Sequence, residues 1–331
     1  MPVSGPDVLV VGAGVSGLTT AVCLAEAGHG VEIRADRLPG DTTSAVAGAI
    51  WGPHLVETGE RAARWRRATL AVLRELAAAP AGEGTGVRIA EGIQVFRGPP
   101  GAPPDWIGDL GGYRPCGPAE LPPGFGTGWR YAAPLAHMPT YLGYLRARFE
   151  RAGGRLGVGT VASLAGAARE GGAPVVVNCS GAHARQLAGD PEVTPVRGQA
   201  VVATNPGLTE FVIAPGDSTA ELAYLFPHGE EVILGGSEAA GDWSLEPVPA
   251  VADRIVRDCT AIEPRLRGTR VLEHRVGLRP ARPTVRLEAE PGDGGPLIVH
   301  NYGHGGGGIT LSWGCAREAA ALATDRLGRV S

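Results

Sequence analysis

An α/β fold with two domains is what this 331-residue sequence predicts, one domain around a parallel sheet and the other mainly antiparallel, with the chain crossing between them more than once. Three observations predict it. Asp7-Val8-Leu9-Val10-Val11-Gly12 is a short apolar run, of the kind buried on both faces of a parallel sheet, and glycines at 12, 14 and 17 follow it. A second glycine cluster, Gly303, Gly305, Gly306, Gly307, Gly308 and Gly314, lies between the strand-like Leu297-Ile298-Val299 and an Ala-rich helical run. Between the two clusters, residues 196–204, 211–214, 222–227, 231–236 and 271–276 read as closely spaced strands of an antiparallel sheet.

The elements follow in order. Residues 16–28 carry Leu18, Val22, Leu24 and Ala25 at helical spacing and stop at Gly28. Val31-Glu32-Ile33-Arg34-Ala35-Asp36 is the next strand and completes a β–turn–α–β unit. Residues 60–79 form an Arg- and Ala-rich helix, and 80–134, dense in Pro and Gly, are expected to be short strands and loops. A helix over 138–152 (Tyr141, Leu142, Leu145, Phe149) precedes the strand Val175-Val176-Val177-Asn178-Cys179, which ends at Ser180-Gly181. Residues 248–262 are helical, and there is no internal repeat. The crossings divide the chain into 1–49, 135–190 and 284–331 for the nucleotide side, and 50–134 and 191–283 for the substrate side.

Composition narrows the function. Hydrophobic residues make up 44% and charged residues 19%, enough apolar material for a substantial core. A net charge of −4 with scattered Lys and Arg argues against nucleic-acid binding. No apolar stretch reaches the roughly 18 residues of a membrane span, and no secretory signal is visible. Five dispersed cysteines without CxxC pairs favour buried thiols in a reducing, cytoplasmic setting over disulfides or a metal site.

Gly12-x-Gly14-x-x-Gly17, after a strand and opening a helix, has the spacing of a dinucleotide fingerprint. Its first glycine makes the turn, the second admits a pyrophosphate, and the third lets helix pack on strand. Glu32 and Asp36 are both placed to bind a ribose hydroxyl, Asp36 nearer the strand end. The motif leaves NAD and FAD as alternatives. Thr42-Thr43-Ser44 suits either a cofactor loop or a helix N-cap. Arg279 and Arg282, set among Pro280 and Pro283, suit either a fixed carboxylate clamp or a solvated surface loop. Tyr224 closes an aromatic strand, where a packed tyrosine is the simplest reading; His54 and His304 are acid–base candidates or packed side chains.

Taken together these segments resemble the D-amino acid oxidase family, which includes D-aspartate oxidases. The similarity runs nearly end to end. It covers Val10 to Leu18, Ala35-Asp36-Arg37, Thr42 to Gly48, Asn178 to Gly181, Arg197-Gly198-Gln199, Gly241-Asp242-Trp243, Gly277 to Pro283 and His300 to Gly306. The resemblance implies a Rossmann-type domain holding FAD non-covalently, with an antiparallel substrate domain over the flavin. It implies oxidation of a D-amino acid by hydride transfer from Cα to flavin N5. Hydrolysis to a 2-oxo acid and ammonia follows, and oxygen is reduced to hydrogen peroxide. No side chain need act as base, so the protein's task is orientation and electrostatics.

Carried over by position, the resemblance makes Arg279 the clamp for the substrate carboxylate, Tyr224 a second donor to it, and the Gly306 carbonyl the acceptor for the amine. Gly305, Gly306, Gly308, Ile309 and Thr310 lie along the flavin ring, and Gly12, Gly14, Val15, Ser16, Gly17, Asp36, Arg37, Thr42, Thr43, Ser44, Gly48, Val161 and Ser180 hold the rest of the cofactor. Ile50, His54, Ile213, Phe226 and Gly307 are the pocket positions, with Gly307 leaving extra room. Ala220 stands where vertebrate relatives carry a lid tyrosine. His54 matches the D-aspartate oxidases, whereas Glu238 stands where they place a cation, so the side-chain preference is undetermined. The resemblance leaves a homodimer open. The alternative activity is a related flavin amine oxidase acting on glycine, a secondary amine or a biosynthetic intermediate; a flavin carrier without turnover is a further one.

Overall fold

The computed structural model describes residues 5–55, 58–80, 84–98, 103–215, 221–291 and 295–328. The chain opens with β1 (Val8–Val11), α1 (Val15–Glu26) and β2 (Val31–Ala35), followed by α2 (Glu60–Ala78), β3 (Val87–Phe96), β4 (Tyr113–Pro115) and β5 (Thr127–Ala136). Next come α3 (Met138–Arg151), β6 (Arg155–Val158), α4 (Leu164–Gly171), β7 (Val175–Asn178) and α5 (Ala184–Leu187). Strands β8 (Thr194–Thr204), β9 (Phe211–Pro215), β10 (Glu221–His228), β11 (Glu231–Ser237) and β12 (Ala239–Ala240) precede α6 (Pro249–Ile262) and β13 (Val271–Ala281). The last elements are β14 (Arg286–Glu290), β15 (Leu297–Tyr302) and α7 (Gly308–Leu327).

Six strands form one sheet in the order β14-β15-β7-β1-β2-β6, parallel except where β14 pairs antiparallel with β15 at the edge. The central strands β1 and β7 are buried at every residue, which is why they are written Val-Leu-Val-Val and Val-Val-Val, β7 ending in the buried Asn178. Helices α1 and α3 cover one face through Leu18, Val22, Leu142 and Leu145; α4 covers the other through Leu164, Ala167 and Ala168. The second sheet runs β12-β8-β11-β10-β9-β3-β5-β4, with β13 also paired to β8. It is antiparallel throughout except for the β3–β9 pair. Helix α6 packs on it through Ala252, Ile255 and Cys259.

Three findings differ from the sequence expectations. Residues 80–134 are not merely short strands and loops, since β3 and β5 run ten residues each and pair from Val87–Ala136 to Phe96–Thr127. Gly92, a breaker by propensity, is required within β3, because a Cβ there would lie 2.2 Å from the Phe211 carbonyl oxygen. Arg279 and Pro280 belong to strand, not loop: β13 stays paired with β8 as far as Ala281–Thr194. Finally β6, α4 and β14 are elements that short, weakly patterned segments did not reveal.

Helix α2 packs against β3 and β5 of the second sheet and also against α7. Ala62 and Trp65 meet Leu311 and Cys315, and the Gly314 N–H donates to Thr69 Oγ1 at 3.0 Å. None of the five cysteines forms a disulfide. Burial pushes the Cys23 thiol up to about 11 and those of Cys179 and Cys259 up to about 12, so these three stay protonated. No helix among the described residues is long and apolar enough to cross a membrane.

Candidate active site

A single cavity of about 990 Å³ runs from the first turn of α1 to the concave face of the second sheet. At the α1 end its wall includes Gly12, Gly14, Val15, Ser16, Asp36, Arg37, Thr42, Thr43, Ser44, Val161 and Ser180. At the sheet end it includes Ile50, His54, Ile213, Tyr224, Phe226, Glu238 and Arg279, with Gly48, Gly305, Gly306, Gly308 and Ile309 between.

The α1 end is shaped by backbone contacts that only glycine permits. Gly12 has φ +107°, and a Cβ there would sit 2.5 Å from the Cys179 carbonyl oxygen. A Cβ at Gly17 would meet the Gly12 oxygen at 1.9 Å, so Gly17 serves helix–strand packing and does not reach the cavity wall. Asp36 follows β2 at the cavity wall, whereas Glu32, the other acidic candidate, is not part of that wall and pairs with Arg34 at 3.2 Å. Neither Thr42 nor Thr43 caps an α-helix, whereas Ser44 satisfies the first N–H of α1 from outside that helix. Thr42 Oγ1 donates to the Pro39 carbonyl at 2.8 Å, Thr43 Oγ1 accepts from the Leu278 N–H at 3.3 Å, and Ser44 Oγ accepts from the Val15 N–H at 3.0 Å. This segment thus ties α1 to β13, one end of the cavity to the other.

At the sheet end, Arg279 points into the cavity from β13 and donates from Nη1 to the Ser237 carbonyl at 3.1 Å. No carboxylate among the described residues lies within ion-pair distance of it. A buried-edge guanidinium without a resident anion is a site for one. Tyr224 stacks on Phe226 with ring centroids 4.5 Å apart. Burial raises the Tyr224 hydroxyl above its usual range, against the lowering effect of the Arg279 charge, so it stays a donor. The ring lies on bare backbone: a Cβ at Gly235 would be 1.9 Å from Tyr224 Cζ, and one at Gly48 2.7 Å from Phe226.

The glycine-rich turn closes the space between the two ends. The Gly305 N–H donates to the Pro280 carbonyl at 2.9 Å, which holds the turn beside Arg279. A Cβ at Gly306 would lie 2.5 Å from His54 Cδ2. Thr310 faces the 50–55 segment, donating to the Gly52 carbonyl at 2.9 Å and accepting from the Gly52 N–H at 3.1 Å. Neither Thr310 nor Gly307 lines the cavity; Gly307 is buried as the N-cap of α7. The structure therefore does not bring Gly307 to the pocket position expected of it. Ala220 lies outside the described residues.

The sequence matches the FAD dependent oxidoreductase (DAO) family over residues 7–322. The chain belongs to this family. It is 52% identical over 315 residues to a D-amino-acid oxidase of Rubrobacter xylanophilus, covering 95% of each chain. It is 37% identical to the human D-aspartate oxidase, covering 96% of this chain and 94% of that one. Among solved structures, a glycine oxidase from Geobacillus kaustophilus superposes with a TM-score of 0.79 at 20% identity, over 97% of this chain and 95% of that one, a likeness of fold.

FAD is the cofactor of this family, and the residues present fit it. The cavity is continuous, its α1 end offers backbone N–H groups and an acidic residue, Asp36, and buried His304, also in its wall, has an Nε2 without a hydrogen-bond partner. Family membership removes the NAD alternative that the glycine motif left open.

Sequence reasoning missed two features of this oxidoreductase. One is Gly198, inside β8, where a Cβ would lie 2.5–2.6 Å from the Arg279 guanidinium. A glycine within a strand marks a close approach, and that signal was present in Arg197-Gly198-Gln199. Gly198→Ala should displace Arg279 and cut catalytic efficiency by about 10-fold or more while leaving the thermal midpoint nearly unchanged, because the displaced group is a flexible side-chain end. Parallel kinetics and melting curves check this; unchanged kinetics would show the guanidinium tolerates the shift. The other is the partnership of His54 and Glu238, whose Nε2 and Oε1 are 2.6 Å apart. The two opposing specificity signals are one hydrogen-bonded pair.

The buried imidazoles carry a pH prediction. Burial pulls His304 down to about 4; burial, with His137, Arg88 and Arg275 nearby, pulls His228 down to about 3. In the unfolded chain both take up protons near about 6.5, so the unfolded state binds more protons below that pH. Stability is therefore lost as pH falls from about 6.5 toward 4. Melting of the holoenzyme should drop by several degrees between about pH 7 and 5; a flat profile contradicts this assignment.

Proposed function

We propose that this oxidoreductase is a D-amino-acid oxidase, converting a D-amino acid, oxygen and water to a 2-oxo acid, ammonia and hydrogen peroxide. The observation that carries the reading is the unpaired Arg279 beside Tyr224, at the far end of a cavity that begins at a dinucleotide fingerprint. The relatives named D-amino-acid oxidase, at 52% and 46% identity over nearly the full length, support it.

Arg279 grips the substrate carboxylate through two parallel N–H donors, and the Tyr224 hydroxyl donates to the same group. The Gly306 carbonyl accepts from the amine, which fixes the face from which Cα–H is presented. Ile50, Ile213 and Phe226 supply apolar walls that exclude water around the reacting carbon. Bound FAD supplies the acceptor for the two electrons, which pass on to oxygen. The remaining proton leaves from the amine, so no side-chain base is required and the chain contributes orientation.

Anaerobic mixing with D-amino acids, glycine and secondary amines, read as bleaching of flavin absorbance near ~450 nm, tests this reading. Bleaching by D-amino acids is expected. Bleaching only by glycine or N-alkyl amino acids would replace the substrate class, and no bleaching by any amine would leave a flavin-binding protein without turnover.

A further inference from the structure

We propose that Glu238 recognises the substrate's side chain, that it selects a D-amino acid ending in an ammonium or guanidinium group, and that His54 holds the carboxylate when no such group is bound. The inference rests on the oxidase reading and names the substrate class within it.

Three acidic residues line the cavity among those described, Asp36, Asp41 and Glu238. The first two follow β2 at the cofactor end, which leaves Glu238 as the anion of the substrate end. Its place there is fixed by the backbone: Ser237, whose carbonyl accepts from Arg279, is the preceding residue. A substrate held by its carboxylate on Arg279 is therefore held next to Glu238. His54 arrives from the opposite wall, 184 positions away in sequence, and is its sole hydrogen-bond partner among the described residues. That bond engages Oε1 and leaves Oε2 free to accept.

Charge decides what can enter. The Glu238 side chain is only 11% exposed. Burial favours its neutral form, but the hydrogen bond from His54, with the charges of His54 and Arg279, outweighs burial and holds it below the usual carboxylate range. An acidic side chain would meet this carboxylate at close range. An aliphatic one would cover it without replacing its lost water. A cationic one supplies N–H donors to Oε2 or displaces His54, whose side chain is 37% exposed and has solvent to turn into. The rest of the wall, Ile50, Ile213 and Phe226, accepts the methylene stem that such side chains share.

The test compares D-lysine with D-norleucine, which share the same carbon chain and differ by the terminal ammonium, on the purified holoenzyme. An apolar pocket alone would favour D-norleucine. With Glu238 as the recognition point, kcat/KM for D-lysine should be higher by about tenfold or more, with the difference in KM. Glu238→Gln should lower that ratio by about tenfold, and Glu238→Asp should recover part of it. Should the Gln variant fail to fold, His54→Ala serves, with a lowered KM for D-lysine expected. Equal efficiencies in the wild type, or a preference that survives Glu238→Gln, overturns the proposal. Turnover of D-norleucine without preference for D-lysine sinks this inference alone, whereas absence of turnover with every D-amino acid sinks the oxidase reading beneath it.

Discussion

Arg279→Ala should lower kcat/KM for D-amino acids by about 10²–10⁴-fold, the equivalent of about 3–5 kcal/mol lost when one member of a buried charge pair is removed. The substrate carboxylate would then sit in an apolar-walled cavity with Tyr224 as its remaining donor. Stability should change little, because the guanidinium makes one hydrogen bond to the protein, to the Ser237 carbonyl. Arg279→Lys should restore the charge but not the two-donor fork, giving an intermediate rate and a raised KM. Steady-state kinetics of the three proteins, with flavin content measured in parallel, separate loss of the clamp from loss of cofactor. Near-wild-type efficiency of the alanine variant would place the carboxylate site elsewhere.

Asp190→Ala should have the largest effect on stability, about 2–3 kcal/mol, seen as a thermal midpoint lower by roughly 3–4 °C. Asp190 is buried and gathers four partners: Arg282 Nε at 3.0 Å, the Tyr302 hydroxyl at 2.9 Å, the Glu192 N–H at 3.0 Å and Arg286 Nη1 at 4.0 Å. Arg286 also donates to the Tyr302 hydroxyl at 2.8 Å. Removing the carboxylate leaves the Tyr302 hydroxyl and the Glu192 N–H without their acceptor and takes a buried partner from Arg282 and Arg286, which keep Glu192, Glu288 and Glu290, at the start of the glycine turn, where Gly303 packs on Arg282. Flavin affinity should fall with it, since that turn forms part of the cavity wall. Asp190→Asn, which keeps an acceptor, should lose less. Equal melting of all three proteins would mean the network relaxes onto water.

The two arginines of the Arg279–Arg282 segment show where sequence reading stops. Set among prolines, they look alike. Their strand register separates them: Arg279 pairs opposite Val196 on β8 and enters the cavity, while Arg282, just past the strand, turns onto Asp190 and Glu192. Nothing local distinguishes a clamp from a brace. His54 and Glu238 teach the same lesson. Each carries a specificity signal by position, the signals oppose, and the opposition dissolves once the two atoms are seen 2.6 Å apart.

By itself the sequence determined the fold class and the cofactor end of the site. Those features are local: unbroken valines mean a strand buried on both faces, and glycine spacing means a backbone turn that admits a phosphate. The antiparallel sheet was legible as strands, but the pairing of β3 along all of β5 was not, because register depends on partners 31 to 49 residues away. Tertiary structure alone decided that Gly198 and Gly235 make room for Arg279 and Tyr224, that Gly307 is not part of the cavity wall, and that Glu238 follows the residue whose carbonyl holds Arg279. The physical reason is common to all three. Charge pairing and steric room are set between side chains far apart in the chain, and only folding brings them within the few ångströms over which they act.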